Sequence, residues 1–496
     1  MKRFRIFYQI FFFALFCVLF YFAAQGKMKG YPVTLFLDSS PLNGISALLS
    51  SWNVAHTMWI GFVILGLTFL LGRFFCSWIC PLGTIFNFFS AIFKDKDQKK
   101  KVAKNSYSKF QVYKYILLII LLTCAALGVL QAGLFDPISL LTRTFAVFIS
   151  PAAENSFNLL AHKSAVRIFP AGPAIVGVFV LLLLLNAYRP RFWCRYVCPL
   201  GALLGCASKF SVGSLSRDEA LCLDCGLCRK DCHGASCPNT QLKSSECLLC
   251  WNCVKDCPQN AISWQWAYNR KNVETKVNIS RRQFFGSIIG GAGAALALRS
   301  AGTAGDRGFE KRIRPPGALH EPEFLARCLK CGECAKVCPT NVIQPALIEA
   351  GLEGFMTPVL DFTHGYCELN CSLCGQVCPT GAIQKLTIVE KTGYPDKAPI
   401  KTGTAFVDRT RCIPWSMDRN CVVCQEVCPV SPKAIYDIKA ESGISGKSKI
   451  LKRPQVNPSL CIGCGLCQHE CPVHDLPAIR VTPAGESRCP RGSFYI

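Results

Sequence analysis

The chain has 496 residues, 51% of them hydrophobic, with a mean hydropathy of +0.28 and a formal net charge of +24. This apolar content excludes a disordered chain and points to membrane-embedded helices, and the sequence carries no nucleic-acid motif, so the basic surplus reads as a signal of membrane orientation. Its 33 cysteines recur as C-x2-C-x2-C-x3-C, usually followed by Pro, which is a metal-cluster pattern and excludes a disulfide framework.

Residues 1–213 read as an α-helical membrane domain of four spans, at 6–24, 55–75, 112–130 and 174–188. The loop 94–109 holds seven lysines against two aspartates and sets that side as inside. Lys114 is expected to snorkel to the inner surface, where Arg189, Arg191 and Arg195 are also delivered. Segments 25–53 and 131–171 then lie outside.

An internal repeat sits on this frame. Arg73-Phe74-Phe75-Cys76-Ser77-Trp78-Ile79-Cys80-Pro81-Leu82-Gly83 and Arg191-Phe192-Trp193-Cys194-Arg195-Tyr196-Val197-Cys198-Pro199-Leu200-Gly201 are one phrase written twice. Each follows an inward-going span, so both C-x3-C-P pairs should reach the same depth, and cysteines four apart share a helix face. Three readings stay open for Cys76, Cys80, Cys194 and Cys198: one further intramembrane iron-sulfur cluster, two redox-active dithiols, or helix packing alone.

Residues 214–265 read as an α+β bacterial-type 2[4Fe-4S] ferredoxin module on the inner side. In such modules three cysteines of one motif bind one cluster and the fourth crosses to the other. Cys222, Cys225 and Cys228 are therefore expected with Cys257, and Cys247, Cys250 and Cys253 with Cys232. His233 replaces the usual Pro, and Cys237 is an extra thiol nearby.

Residues 280–304 open with Ser280-Arg281-Arg282-Gln283-Phe284-Phe285 and continue as about 15 apolar or small residues, the size of an export-signal core. They read as an internal twin-arginine signal, cleaved near Ala304 or retained as a fifth anchor. A buried helix and a dinucleotide loop at Gly291 and Gly293 are the alternatives. Twin-arginine export moves proteins already folded with cofactor, which suits a cysteine-rich domain bound for an oxidising compartment.

Residues 305–496 carry four motifs and, by the same crossing rule, four clusters. Cys328, Cys331 and Cys334 pair with Cys378, and Cys367, Cys371 and Cys374 with Cys338. Cys412, Cys421 and Cys424 pair with Cys471, and Cys461, Cys464 and Cys467 with Cys428. These 24 cysteines imply six [4Fe-4S] clusters in all. Cys17, Cys124, Cys206, Cys237 and Cys489 remain, with Cys17 and Cys124 reading as small apolar residues within spans. About 30 Å of hydrocarbon should separate the two banks, and no C-x-x-C-H haem sequence bridges it, so a mobile quinone is the expected link.

On these motifs, residues 1 to about 265 resemble the NapH-type membrane subunit of quinol dehydrogenases serving periplasmic nitrate reductase. Residues 280–496 resemble the NapG/MauM-type periplasmic ferredoxin, and here the two stand in one polypeptide. The resemblance implies a protein of the bacterial inner membrane, with its first ferredoxin module cytoplasmic and its second ferredoxin domain periplasmic. It further implies menaquinol oxidation and electron delivery to a periplasmic oxidoreductase or cytochrome. No acid-base constellation is visible, but His56 and His162 near the outer surface are candidates to take quinol protons, with a structural role as the alternative. A maturation factor supplying reducing equivalents to a partner metalloenzyme and a redox sensor switching at its C-x3-C pairs are the competing functions.

Overall fold

The computed structural model describes residues 2–24, 28, 30–52, 58–93, 97–160, 167–239, 242–266, 273–274, 279–303, 312–393, 398–442 and 449–488. His56, His162, Cys489 and the linker at Ala304 lie outside the described residues.

Phe, Leu and Ile dominate the first helix, Lys2–Phe22, which satisfies its backbone polar groups internally as an apolar setting requires. Two stretches are long and apolar enough to cross a membrane, Arg3–Phe22 and Gln98–Ala126. The second reaches that length only when the short helix Gln98–Lys104 and the 3-10 turn Lys109–Val112 are taken with Tyr113–Ala126. The other two expected spans are shorter apolar helices, Trp59–Leu71 and Gly172–Tyr188.

Each of these shorter helices ends in a break. Phe75–Trp78 is a single turn, and Pro81 then opens Pro81–Ile92; Phe192–Tyr196 is matched by Pro199 opening Pro199–Ser208. Proline lacks the N–H that would continue a helix but suits the first position of a new one. Cys80 and Cys198 are therefore extended N-cap residues, and each pair meets across a break instead of along one helix face as the spacing suggests.

The inner ferredoxin module closes with the antiparallel pair Gly213–Arg217 and Ile262–Trp266, in register Leu215 to Trp264, over its own apolar core. The C-terminal region contains three further antiparallel ribbons. Ile343–Pro345 pairs with Pro358–Leu360, Thr404–Val407 with Ile479–Thr482, and Ile435–Ser442 with Lys449–Val456. Its core is continuous with that of the helical bundle, running from Phe16 and Leu141 through Leu329 to Val481.

The two cysteine-rich regions cap opposite ends of the bundle. On Lys2–Phe22, Arg5 donates to the Cys250 carbonyl, while fifteen residues on, about 22 Å along the helix, the Lys336 ammonium lies over the Phe20 ring. Glycine allows close docking at both ends. A Cβ on Gly205 would stand 2.8 Å from the Ser245 carbonyl oxygen, and one on Gly133 would stand 2.0 Å from that of Leu329. The helix Arg281–Thr303 runs beside Tyr113–Ala126, with Cys124 Sγ donating to the Gly291 carbonyl at 3.2 Å. Gly291 thus lies inside a helix and makes a helix contact, so it does not form a dinucleotide loop.

Lys114 is fully buried and donates to Glu246 of the inner module, which also accepts from Tyr115 at 2.9 Å and lies 3.9 Å from Arg73. The surface to which Lys114 was expected to snorkel is covered by that module. Arg191 and Arg195 are likewise buried beneath it. Glu246→Ala would leave Lys114 and Arg73 buried without their counter-ion, at a cost of about 3–5 kcal/mol. The expected outcome is accelerated limited proteolysis around residues 209–217 in detergent-solubilised protein; an unchanged cleavage rate would contradict this ion pair's role in docking.

Candidate metal centres

Most of the candidate cysteines are buried or half-buried, with Cys225 of residues 214–265 exposed. In the C-terminal region three cavities are each lined by one four-cysteine set that the crossing rule groups. Cys328, Cys331, Cys334 and Cys378 line the first, with apolar walls from Phe324, Met356 and Ile383. Cys412, Cys421, Cys424 and Cys471 line the second, and Cys428, Cys461, Cys464 and Cys467 the third. The fourth set also converges: Cys374 faces Cys367, Cys338 and Cys371. Cys412, separated by eight intervening residues from Cys421, lines the same cavity as Cys421, Cys424 and Cys471 all the same.

These pockets suit a cationic iron-sulfur core. Among the described residues no three His, Cys, Asp or Glu side chains converge as ligands of a single metal ion, whereas a cubane holds its thiolates apart at separate corners. Amides point at the sulfurs: Ala405 N–H donates to Cys461 Sγ and Ile383 N–H to Cys378 Sγ, both at 3.4 Å, and Lys391 Nζ donates to Cys367 Sγ at 3.3 Å. Hydrogen bonds of this kind tune cluster potential. Burial pushes the Cys328 and Cys412 thiols up to about 11, so their deprotonation needs a positive group in the pocket.

In the inner module Cys253 faces Cys250, Cys247 and Cys232, as expected. Cys228 faces Cys232, Cys222 and Cys225. Cys257, the expected fourth member of that set, accepts from the Ala261 amide at 3.3 Å; its membership rests on the spacing alone.

Cys76, Cys80, Cys194 and Cys198 are all buried, and the structure brings them together: Cys198 faces Cys194, Cys76 and Cys80. The repeat arginines cross between copies. Arg191 donates to the Cys76 carbonyl at 3.3 Å, and a Cβ on Gly201 would stand 2.6 Å from Arg73 Nη2. A Cβ on Gly83 would stand 2.7 Å from the Cys76 oxygen, while Gly201 N–H donates to Cys198 Sγ at 3.2 Å. Each glycine of the phrase thus permits a close approach around the sulfurs.

Asp136 faces Cys80 and caps the helix Pro137–Thr144, accepting from the Ile138 and Ser139 amides. Seven residues along that helix, about 10 Å away, Arg143 donates to the Lys330 carbonyl at 3.0 Å and faces Cys331. One helix, Pro137–Thr144, thus runs from the surroundings of Cys80 to those of Cys331. Sequence reasoning missed Glu246, Arg143 and Asp136, whose partners are far away in the chain; the paired Arg73 and Arg191 in the repeat were the visible signal for the arginine crossing.

Domain families described as "4Fe-4S binding domain" match residues 55–100 with 169–217, covering both repeat copies, and residues 454–474. Families described as "4Fe-4S dicluster domain" match 246–343 and 327–382. The chain thus carries multiple 4Fe-4S binding domains. It is 32% identical over 224 residues to the methylamine utilization ferredoxin-type protein MauM of Methylorubrum extorquens, covering 43% of this chain and 96% of that protein. Against the ferredoxin-type protein NapG of Escherichia coli it is 31% identical over 223 residues, covering 43% of this chain and 90% of NapG. A protein of Methanocaldococcus jannaschii is 28% identical over 40% of this chain, and the matched region spans 66% of that relative, just under two thirds. No solved structure matches the chain.

Two predictions follow from the pocket geometry. Cys471→Ser should remove about four iron atoms from the reconstituted protein and leave the Cys461 set's EPR signal in place; loss of the Cys461 signal instead would contradict the crossing assignment. Burial alone would raise the Glu321 carboxyl, but Arg314 at 2.6 Å and Arg488 at 3.0 Å outweigh it and hold the group down to about 2. A depressed carboxylate contributes stability above its unfolded value that is lost as pH falls through the folded one. Glu321→Gln should therefore destabilise the C-terminal region by about 2 kcal/mol at pH 7, read by hydrogen exchange across Arg314–Arg327, with the difference shrinking from about pH 5 towards 2.

Proposed function

The chain belongs to the family of ferredoxin-type proteins that includes MauM and NapG, and from that premise we propose that it is a membrane-bound iron-sulfur electron-transfer protein acting as a menaquinol dehydrogenase. It sits in the bacterial inner membrane as a fusion of NapH-type and NapG-type parts, with residues 214–265 cytoplasmic and 305–496 periplasmic. Its acceptor is a periplasmic redox enzyme or cytochrome, of the kind nitrate reductase represents. The observation that carries this reading is the pair of cysteine banks at opposite ends of one bundle with a buried cysteine quartet between them.

Six [4Fe-4S] clusters are held by the 24 cysteines in their crossed sets, and Cys76, Cys80, Cys194 and Cys198 hold a seventh iron-sulfur centre. Such groups supply one-electron exchange when bound. The chain's own residues exclude water, direct amide hydrogens at sulfur, and set Arg73, Arg191 and Lys114 as positive charge beside the quartet. Arg281–Thr303 serves as a retained twin-arginine anchor; its packing along Tyr113–Ala126 supports retention. The single helix Pro137–Thr144 between the surroundings of Cys80 and Cys331 supports a path within the protein over a quinone shuttling between the banks.

The test is anaerobic addition of a menaquinol analogue to iron-replete protein, followed by cluster absorbance and EPR. Prompt appearance of reduced-cluster signals is expected. Clusters that dithionite reduces and menaquinol does not would overturn the quinol dehydrogenase reading.

A further inference from the structure

A cleft opens where the inner ends of three helices meet the inner ferredoxin module. Lys2–Phe22 contributes Ile6, Pro81–Ile92 contributes Asn87, Ser90 and Ala91, and Gly172–Tyr188 contributes Asn186. The module contributes Asp231 and His233, which flank Cys232, and Asn252, which precedes Cys253. The cleft encloses about 890 Å³ including its open mouth, within the size range of small-molecule sites.

Its two ends differ in chemistry. Ile6, Ala91 and Phe93 at the mouth are exposed at the end of apolar helices. Deeper in, the wall is made of neutral hydrogen-bonding groups: the Asn87 amide, the Ser90 hydroxyl and the Asn252 amide with the His233 ring 3.2 Å from it. Arg5 is turned away from a free anion, because its guanidinium donates to the Cys250 carbonyl and to Asn252 Oδ1. Lys101, Lys104 and Lys230 also line the cleft, beside Asp231.

An apolar mouth at helix ends, amide and hydroxyl hydrogen-bonding groups set among the cations Arg5, Lys101, Lys104 and Lys230, and a back wall formed by neighbours of the Cys232 set suit a flat aromatic ring with two oxygens, one of them able to carry negative charge, and an apolar tail. We propose that this cleft is the binding site for the headgroup of a quinone-class molecule, with its tail leaving past Ile6 and Ala91. The inference rests on the quinol reading above and gives it a location where the bundle meets the ferredoxin module of residues 214–265.

The probe is 2-heptyl-4-hydroxyquinoline N-oxide, a fluorescent quinol mimic, titrated into the full-length, cluster-loaded protein. Ala91→Trp and Ile6→Trp, both at the exposed mouth, should each weaken binding at least ~10-fold while iron content and the dithionite-reduced EPR spectrum stay as in the wild type. Probe binding should also shift the EPR line shape of a cluster in the wild type only. Equal affinity in wild type and both variants overturns the site, as does displacement of the probe by phosphatidylglycerol but not by a short-chain naphthoquinone, which would assign the cleft to a lipid phosphate. Tight probe binding that the variants abolish, in a protein menaquinol does not reduce, would support the site and defeat the quinol dehydrogenase reading.

Discussion

Sulfur held out of water at fixed corners is the constraint on which the rest of this structure depends. A buried thiolate is costly unless positive charge meets it; Arg143 and Lys330 in the lining of the Cys328 pocket are engaged with backbone carbonyls, and the pocket around Cys412 supplies apolar walls and inward-facing sulfurs with no charged side chain in its lining. Such a pocket fits a group that brings its own positive charge. The short helices, glycine turns and two-stranded ribbons of both cysteine-rich regions then serve mainly to present four sulfurs per pocket and to close water out.

The same constraint explains how the basic surplus is used at the inner end. Arg5, Arg73, Arg191, Arg195 and Lys114 are all buried where the module meets the bundle, and they bind carbonyls of its cysteine loops, the repeat cysteines or Glu246. Arg195 alone donates to the Cys232 and His233 carbonyls at 2.9 Å. Positive charge at this boundary therefore fixes the module's position and also lies beside the sulfurs. At the opposite end one apolar core runs across the junction, and buried or half-buried cations bind across it as well: Arg143 to the Lys330 carbonyl, Lys336 to Glu154, and Arg167 to the Cys338 carbonyl.

The 4Fe-4S binding domains were legible in the sequence because cluster geometry fixes short cysteine spacings, and inserts before Cys371 and Cys421 leave the last three positions of each motif intact. The repeat was legible for the same reason. What the sequence did not reveal depends on contacts across long separations: Glu246 with Lys114 is 132 residues apart, and Arg143 with Lys330 is 187. The apolar helix expected at 174–188 is found as Gly172–Tyr188, whereas the one expected at 55–75 stops at Leu71, because Gly72 caps it with a positive φ while Phe74 and Phe75 carry the apolar run past that break. The shared helix face expected for Cys76 with Cys80 is replaced by a helix break, because Pro81 and Pro199 start new helices directly after Cys80 and Cys198.

If electrons pass between the two cysteine banks within the protein, they must pass the buried quartet of Cys76, Cys80, Cys194 and Cys198. The most direct measurement is rapid-freeze EPR of a Cys76→Ser/Cys194→Ser protein after mixing with menaquinol, with the inner and outer cluster signals assigned beforehand by dithionite reduction. The account predicts that clusters of the inner module are reduced at the wild-type rate while those of residues 305–496 stay oxidised. Reduction of both banks at wild-type rates would contradict it.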